Sequence, residues 1–125
     1  CGCACSYAIV INVKFVIKIK IMADLTQFEW LEKLQSDTEA VILDVRTFAE
    51  IQQGFIANAK HIDIYKGQEF VNEVMKLDKT KSYYVYCKSG GRSGQACAFM
   101  NQAGFEKAYN LVGGIMQWQG ELSFN

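Results

Sequence analysis

An α/β fold, with an open parallel sheet and helices on both faces, is predicted by three observations in this sequence. Apolar, β-branched runs alternate with segments of helical period throughout the region after residue 22. The connections between them are too short for antiparallel meanders, which leaves strand and helix units that cross over a parallel sheet. A turn containing Gly90 and Gly91 joins the strongest strand candidate directly to a helical segment.

Each element follows in order. Thr26 and Glu29 form a capping box, in which each side chain satisfies the other's exposed N–H, and a helix starts there with Phe28, Leu31 and Leu34 on its apolar face. Residues 40–43 read as a strand, and residues 47–53 as a short helix halted at Gly54. Residues 61–64 form a short strand. Residues 68–77 form an amphipathic helix carrying Phe70, Val71, Val74 and Leu77. The run from Ser82 to Tyr86 is a buried strand, followed by a helix over 92–103 that stops at Gly104. A strand over 108–112 and a last helix over 115–121 complete the series. Ligands of such sheets collect at the carboxyl ends of strands, where Cys87 and Asp44 fall.

At 125 residues and 50% hydrophobic, the chain fits one domain with a core of its own. Thirteen basic and thirteen acidic residues balance, so global charge points to neither nucleic acid nor a membrane surface as partner. Of five cysteines, three crowd at Cys1, Cys3 and Cys5, leaving Cys87 and Cys97 in the folded region. That distribution fits a reducing compartment, the cytoplasm, better than a disulfide framework.

Residues 1–21 contain no acidic residue, and 8–21 is rich in Ile and Val interspersed with Lys14, Lys18 and Lys20. The lysines break the run below the length of a membrane span and are misplaced for a secretory signal. Met22-Ala23-Asp24 reads as a start, which divides the chain into an added or disordered extension (1–21) and a domain (22–125). The alternative for 13–21 is an exposed edge strand. Cys1, Cys3 and Cys5 lack the spacing of a metal site, and the sequence calls for no metal and no cofactor.

The segment Tyr86-Cys87-Lys88-Ser89-Gly90-Gly91-Arg92-Ser93-Gly94 carries the chemistry. Its glycines let successive backbone N–H groups point inward as an anion nest, reinforced by the positive end of the following helix. Lys88 and Arg92 bracket the thiol. Such surroundings lower a cysteine from about 8.5 to about 3.5–7.5, so Cys87 is the candidate nucleophile. The competing reading makes Cys87 a small apolar residue ending a core strand. Burying a thiol needs neither the glycines nor the cations, whereas holding a thiolate or an oxyanion needs both.

This loop resembles the active-site loop of single-domain rhodaneses, the thiosulfate sulfurtransferases and persulfide carriers. Two further stretches are similar to that family: Ile42-Leu43-Asp44-Val45-Arg46-Thr47 with Glu50 and Gly54-Phe55-Ile56-Ala57-Asn58-Ala59, and Asn110-Leu111-Val112-Gly113-Gly114-Ile115 with Trp118. Phe48, Phe55 and Lys60 depart from its usual proline, histidine and small residue. The resemblance implies a rhodanese-like α/β domain in which Cys87 takes sulfane sulfur from thiosulfate or a related donor, holds it as a persulfide and passes it to a thiophile. Backbone N–H groups of Lys88, Ser89, Gly90, Gly91 and Arg92 would stabilise the persulfide, with Arg92 holding the donor's sulfonate and Lys88 at the entrance. The implied partners are small sulfur anions and a protein donor or acceptor of sulfur.

Asp44 and Arg46 are supporting residues, expected to position loops, with Glu50 as a partner for Arg46. His61 is expected to be structural or solvated, and Cys97 to be core. The rival enzyme is a phosphatase or arsenate reductase, because phosphatases related to rhodaneses use a cysteine and arginine loop with five intervening residues; Cys87 and Arg92 have four between them. A non-catalytic binding or sulfur-carrier module is the other alternative.

Overall fold

The computed structural model describes residues 24–124, and the expectations for residues 1–21 with Cys1, Cys3 and Cys5 lie outside them. Strands β1 (Asp24–Leu25), β2 (Ala40–Asp44), β3 (Lys60–His61), β4 (Ser82–Tyr86) and β5 (Ala108–Leu111) form one sheet in the order β1-β5-β4-β2-β3. All four pairings are parallel. Helices α1 (Gln27–Gln35), α2 (Phe48–Ile51), α3 (Gln68–Met75) and α4 (Gly91–Gln102) join them, with 3-10 turns at Ile64–Lys66 and Ile115–Gln117.

Burial on both faces explains why β4 reads as a continuous apolar and aromatic run, since all five of its residues are buried. Tyr83 and Val85 pack with Leu43, Phe70 and Val74, and with Ala96 and Met100 of α4, on one face. Tyr84 and Tyr86 face the other way, into a cluster with Trp30 of α1, Tyr109 and Leu111. Trp30 is fully buried and meets Tyr84, Tyr86 and Trp118 edge to face, with centroids 5.8, 6.4 and 5.8 Å away.

Several elements depart from expectation for local reasons. The capping box of Thr26 and Glu29 forms, but Phe28 is 74% exposed and Trp30 takes the buried position. At 100° per residue, Trp30 and Leu34 share the face toward the sheet and Phe28 points off it. The strand expected over 61–64 is only Lys60–His61, because the Asp63 carboxylate accepts from Tyr65 N at 2.8 Å and starts a 3-10 turn. The last helix, expected over 115–121, stops after one 3-10 turn. Gln119 N donates to Gln27 Oε1 at 2.7 Å, and the chain bends at Gly120 before Ser123 pairs with Phe55. Strand β1 was not anticipated; two residues are too few for a periodic signal.

The topology positions the site. From β2 the chain moves outward to β3, then returns across β2 to β4 and continues to β5 on the other side. The direction of connection therefore reverses between β2 and β4, and the crevice at their carboxyl ends is a topological switch point.

Candidate active site

Cys87 leaves β4 at that switch point, beside Tyr86, which pairs with Asp44 at the end of β2. The thiol is 1% exposed. Gly90, at φ 103°, turns the chain back over the sulfur and donates its N–H to Sγ at 3.0 Å. Ser93 Oγ lies 3.3 Å from Sγ, and the N–H groups of Ser93 and Ser89 also serve the sulfur. Burial pushes the thiol up, but the hydroxyl of Ser93 and the three backbone donors outweigh it, so Cys87 lies below the ordinary cysteine value. Cys97, ten residues along in α4, is a buried core thiol held well above that value by desolvation.

A second segment clamps the loop from outside. Ile115 N donates to Cys87 O at 2.9 Å, and Met116 N donates to Lys88 O at 3.0 Å. Gly114 makes this approach possible: a Cβ there would collide with the Lys88 carbonyl and come within 2.6 Å of Cys87 O. The closing glycine pair of the sequence is thus part of the site.

Arg92 points from α4 toward α2 and meets Glu50 in a bidentate ion pair, at 2.7 and 2.8 Å. This corrects the expected pairing of Glu50 with Arg46, which touches only the Glu50 backbone carbonyl, at 3.4 Å. Arg46 instead binds the buried Asp44 carboxylate through Nε and Nη2, the latter at 2.7 Å, and donates to Gly54 O at 2.8 Å. Asp44 and Arg46 therefore tie the end of β2 to the chain after α2. His61 Nε2 lies 2.6 Å from Arg46 O, a structural contact at the same junction.

Of the candidate residues, the fold brings Ser89, Gly90 and Cys87 together around one sulfur, while Gly91 opens α4 and Lys88 is exposed above them. Arg46, Glu50, Gly54, Lys88 and Met116 line an adjoining cavity of about 180 Å³. Ser93 and Asn110 were missed as functional candidates. A serine in the first turn of a helix reads as an end signal, and an asparagine inside an apolar strand gives no sign of which residue it faces. Among the described residues no group of three or more His, Cys, Asp or Glu side chains is arranged to hold a metal. No described helix is long and apolar enough to cross a membrane.

Residues 27–121 match the family model of the Rhodanese-like domain. A sulfurtransferase of Allochromatium vinosum is 41% identical over 91 residues, spanning 72% of this chain and 82% of that protein. The thiosulfate sulfurtransferase GlpE of Coxiella burnetii is 34% identical over 87 residues, spanning 70% of this chain and 78% of its own. The crystal structure of a rhodanese-like domain protein from Staphylococcus aureus superposes with a TM-score of 0.71 at 30% identity, covering 83% of this chain and 99% of that one. With a family match across most of its length and the same fold in a solved relative, this chain belongs to the rhodanese-like domain family.

Proposed function

We propose that this protein is a sulfurtransferase that carries sulfane sulfur as a persulfide on Cys87. The observation that carries the reading is the ring of donors closed around Sγ, with Gly90 N at 3.0 Å and Ser93 Oγ at 3.3 Å. A ring of this kind stabilises the thiolate that makes the attack. In the first step the Cys87 thiolate attacks the outer sulfur of thiosulfate. The bond between the two donor sulfurs breaks, its electron pair leaves with sulfite, and Cys87 keeps the outer sulfur as an anionic persulfide. In the second step a thiolate or cyanide attacks that outer sulfur, and the Cys87 thiolate is released.

Arg92 and Lys88 recruit the donor in this reading. Glu50 occupies one N–H on each of Nη1 and Nη2 of Arg92, leaving three of its five donors for a sulfonate. Lys88 supplies a point charge at the mouth without the bidentate geometry of an arginine, which loosens selection for any one anion. Asp44 and Arg46 act through the loop they anchor. A nucleophilic thiolate needs a reducing environment, consistent with the cytoplasm.

Intact-mass spectrometry after exposure to thiosulfate and other sulfane donors tests the proposal. One added sulfur mass is expected on the wild-type protein and none on Cys87→Ser. Hydrolysis of a phosphate ester without any persulfide would overturn it in favour of a phosphatase. Loading only from a protein donor would favour the sulfur-carrier reading.

A further inference from the structure

Behind Cys87, hydrogen bonds connect the sulfur to the far edge of the sheet. Ser93 Oγ, 3.3 Å from Sγ, is also bonded to Asn110 Oδ1 on β5. Asn110 Nδ2 donates to Asp24 Oδ1 at 2.9 Å and to Gly90 O at 3.2 Å. Both Nδ2 protons face acceptors, so the amide is held with Oδ1 toward Ser93. Ser93 is fully buried and Asn110 is 5% exposed, which keeps water from replacing either partner.

A hydroxyl has one proton to give. Ser93 can direct it to Asn110 Oδ1 or to the Cys87 sulfur, but not to both. While Cys87 is a thiol, the amide oxygen is the stronger acceptor. When the thiol ionises, its proton passes to water, the Ser93 hydroxyl turns to the thiolate, and Asn110 Oδ1 loses its donor. Forming the nucleophile therefore breaks one buried hydrogen bond as it makes another.

We propose that Asn110, oriented by Asp24 and Gly90, is a positioning residue that competes with Cys87 for the Ser93 proton and so moderates formation of the thiolate. The competition has a chemical use. A thiolate made too stable is a poorer nucleophile, and attack is fastest when the thiol titrates near the working pH. Its value for catalysis rests on the sulfurtransferase reading, whereas ionisation of Cys87 does not. Other charged and titratable groups around the site set a background: Arg92 and Lys88 from α4 and the loop, Glu50 on α2 neutralising Arg92, Asp24 on β1, and the neutral Cys97 thiol on α4.

The test is the pH profile of Cys87 alkylation by iodoacetamide in the full chain, read at the Cys87 peptide by mass spectrometry so that other cysteines do not contribute. Asn110→Ala should lower the midpoint by about half to one pH unit, the scale of one hydrogen bond. In a Ser93→Ala background, where the midpoint starts higher, the same change should have no effect. An unchanged or raised midpoint, or a shift that persists without Ser93, overturns the proposal and reduces Asn110 to a prop for Gly90. If Asn110→Ala does not fold, the near-isosteric Asn110→Leu removes the same acceptor while filling its space. Its midpoint should fall likewise and should not move in the Ser93→Ala background; absence of that Ser93-dependent fall is equally fatal. Alkylation reads the thiol whether or not sulfur is moved. A protein with the predicted profiles that forms no persulfide would count against the function and leave the role of Asn110 standing.

Discussion

Glu50 and Arg92, 42 residues apart in the sequence, meet through two short hydrogen bonds that join α2 to the first turn of α4. Glu50 also accepts from Thr47 N at 3.3 Å and receives the Thr47 hydroxyl at 3.1 Å, so one carboxylate caps a helix and braces the arginine beside the thiol. Arg92 first, then the Thr47 contacts, hold its carboxyl down at about 2 against an opposing push from burial.

Acid should therefore loosen this brace in a defined window. A carboxyl lowered in the folded state stabilises fully above its ordinary value, 4.5, and its contribution is lost as pH falls toward about 2. Denaturant melts should show Glu50→Gln less stable at pH 7 by about 1.5–3 kcal/mol, the range for hydrogen bonds to charged groups. The variant should also lose stability less steeply between those pH values. Parallel slopes for the two proteins would assign acid lability to other carboxylates.

Asp44→Asn should be among the most damaging single substitutions. It leaves the buried Arg46 guanidinium without its counter-charge, a change that costs about 3–5 kcal/mol. Urea midpoints should fall accordingly, whereas a cost below about 1 kcal/mol, the ordinary value of an exposed ion pair, would mean that water reaches Arg46.

Persulfide formation should follow the ionisation of Cys87. Because its hydrogen bonds lower the thiol, the rate with thiosulfate should rise with pH to a plateau, with its midpoint below the ordinary cysteine value. Ser93→Ala should move that midpoint upward. A rate still climbing steeply above pH 9 in the wild type would contradict a stabilised thiolate.

Gly114→Ala should disrupt the loop rather than the core. At φ 60°, ψ −162° the position is nearly exclusive to glycine, and strain there costs about 1–3 kcal/mol before the collision with the loop carbonyls is counted. Thiosulfate turnover should drop by more than the loss of thermal stability accounts for. A fully active variant would show that the clamp is dispensable.

How much of this was readable in the sequence depended on the range of the interaction. Strand β4 and helix α4 were readable because burial on both faces and a glycine turn are local signals, and the same holds for the capping box at Thr26. Cys87 stood out for the same reason. The partners of charges were not readable: Glu50 is nearer in sequence to Arg46, but the crossover from β2 carries α2 against α4, and only the assembled sheet decides which arginine it meets. Phe28 and Trp30 differ by two residues, about 200° around a helix, and hydrophobicity alone did not say which faces the sheet. The 3-10 turn at Ile115–Gln117 replaced a helix because Trp118 packs on Trp30 and Gln119 on Gln27, contacts between the two ends of the described chain.

In a trans peptide the carbonyl and the next N–H point in opposite directions. Ile115 and Met116 hold the carbonyls of Cys87 and Lys88 outward, and the N–H of Ser89, in the same peptide unit as the Lys88 carbonyl, faces the sulfur. The polarity of the cradle is thus imposed from its rim, as a hoop shapes a barrel. Substitutions around Gly113 and Gly114 can retune the sulfur's electrostatic surroundings while every residue from Cys87 to Arg92 stays the same.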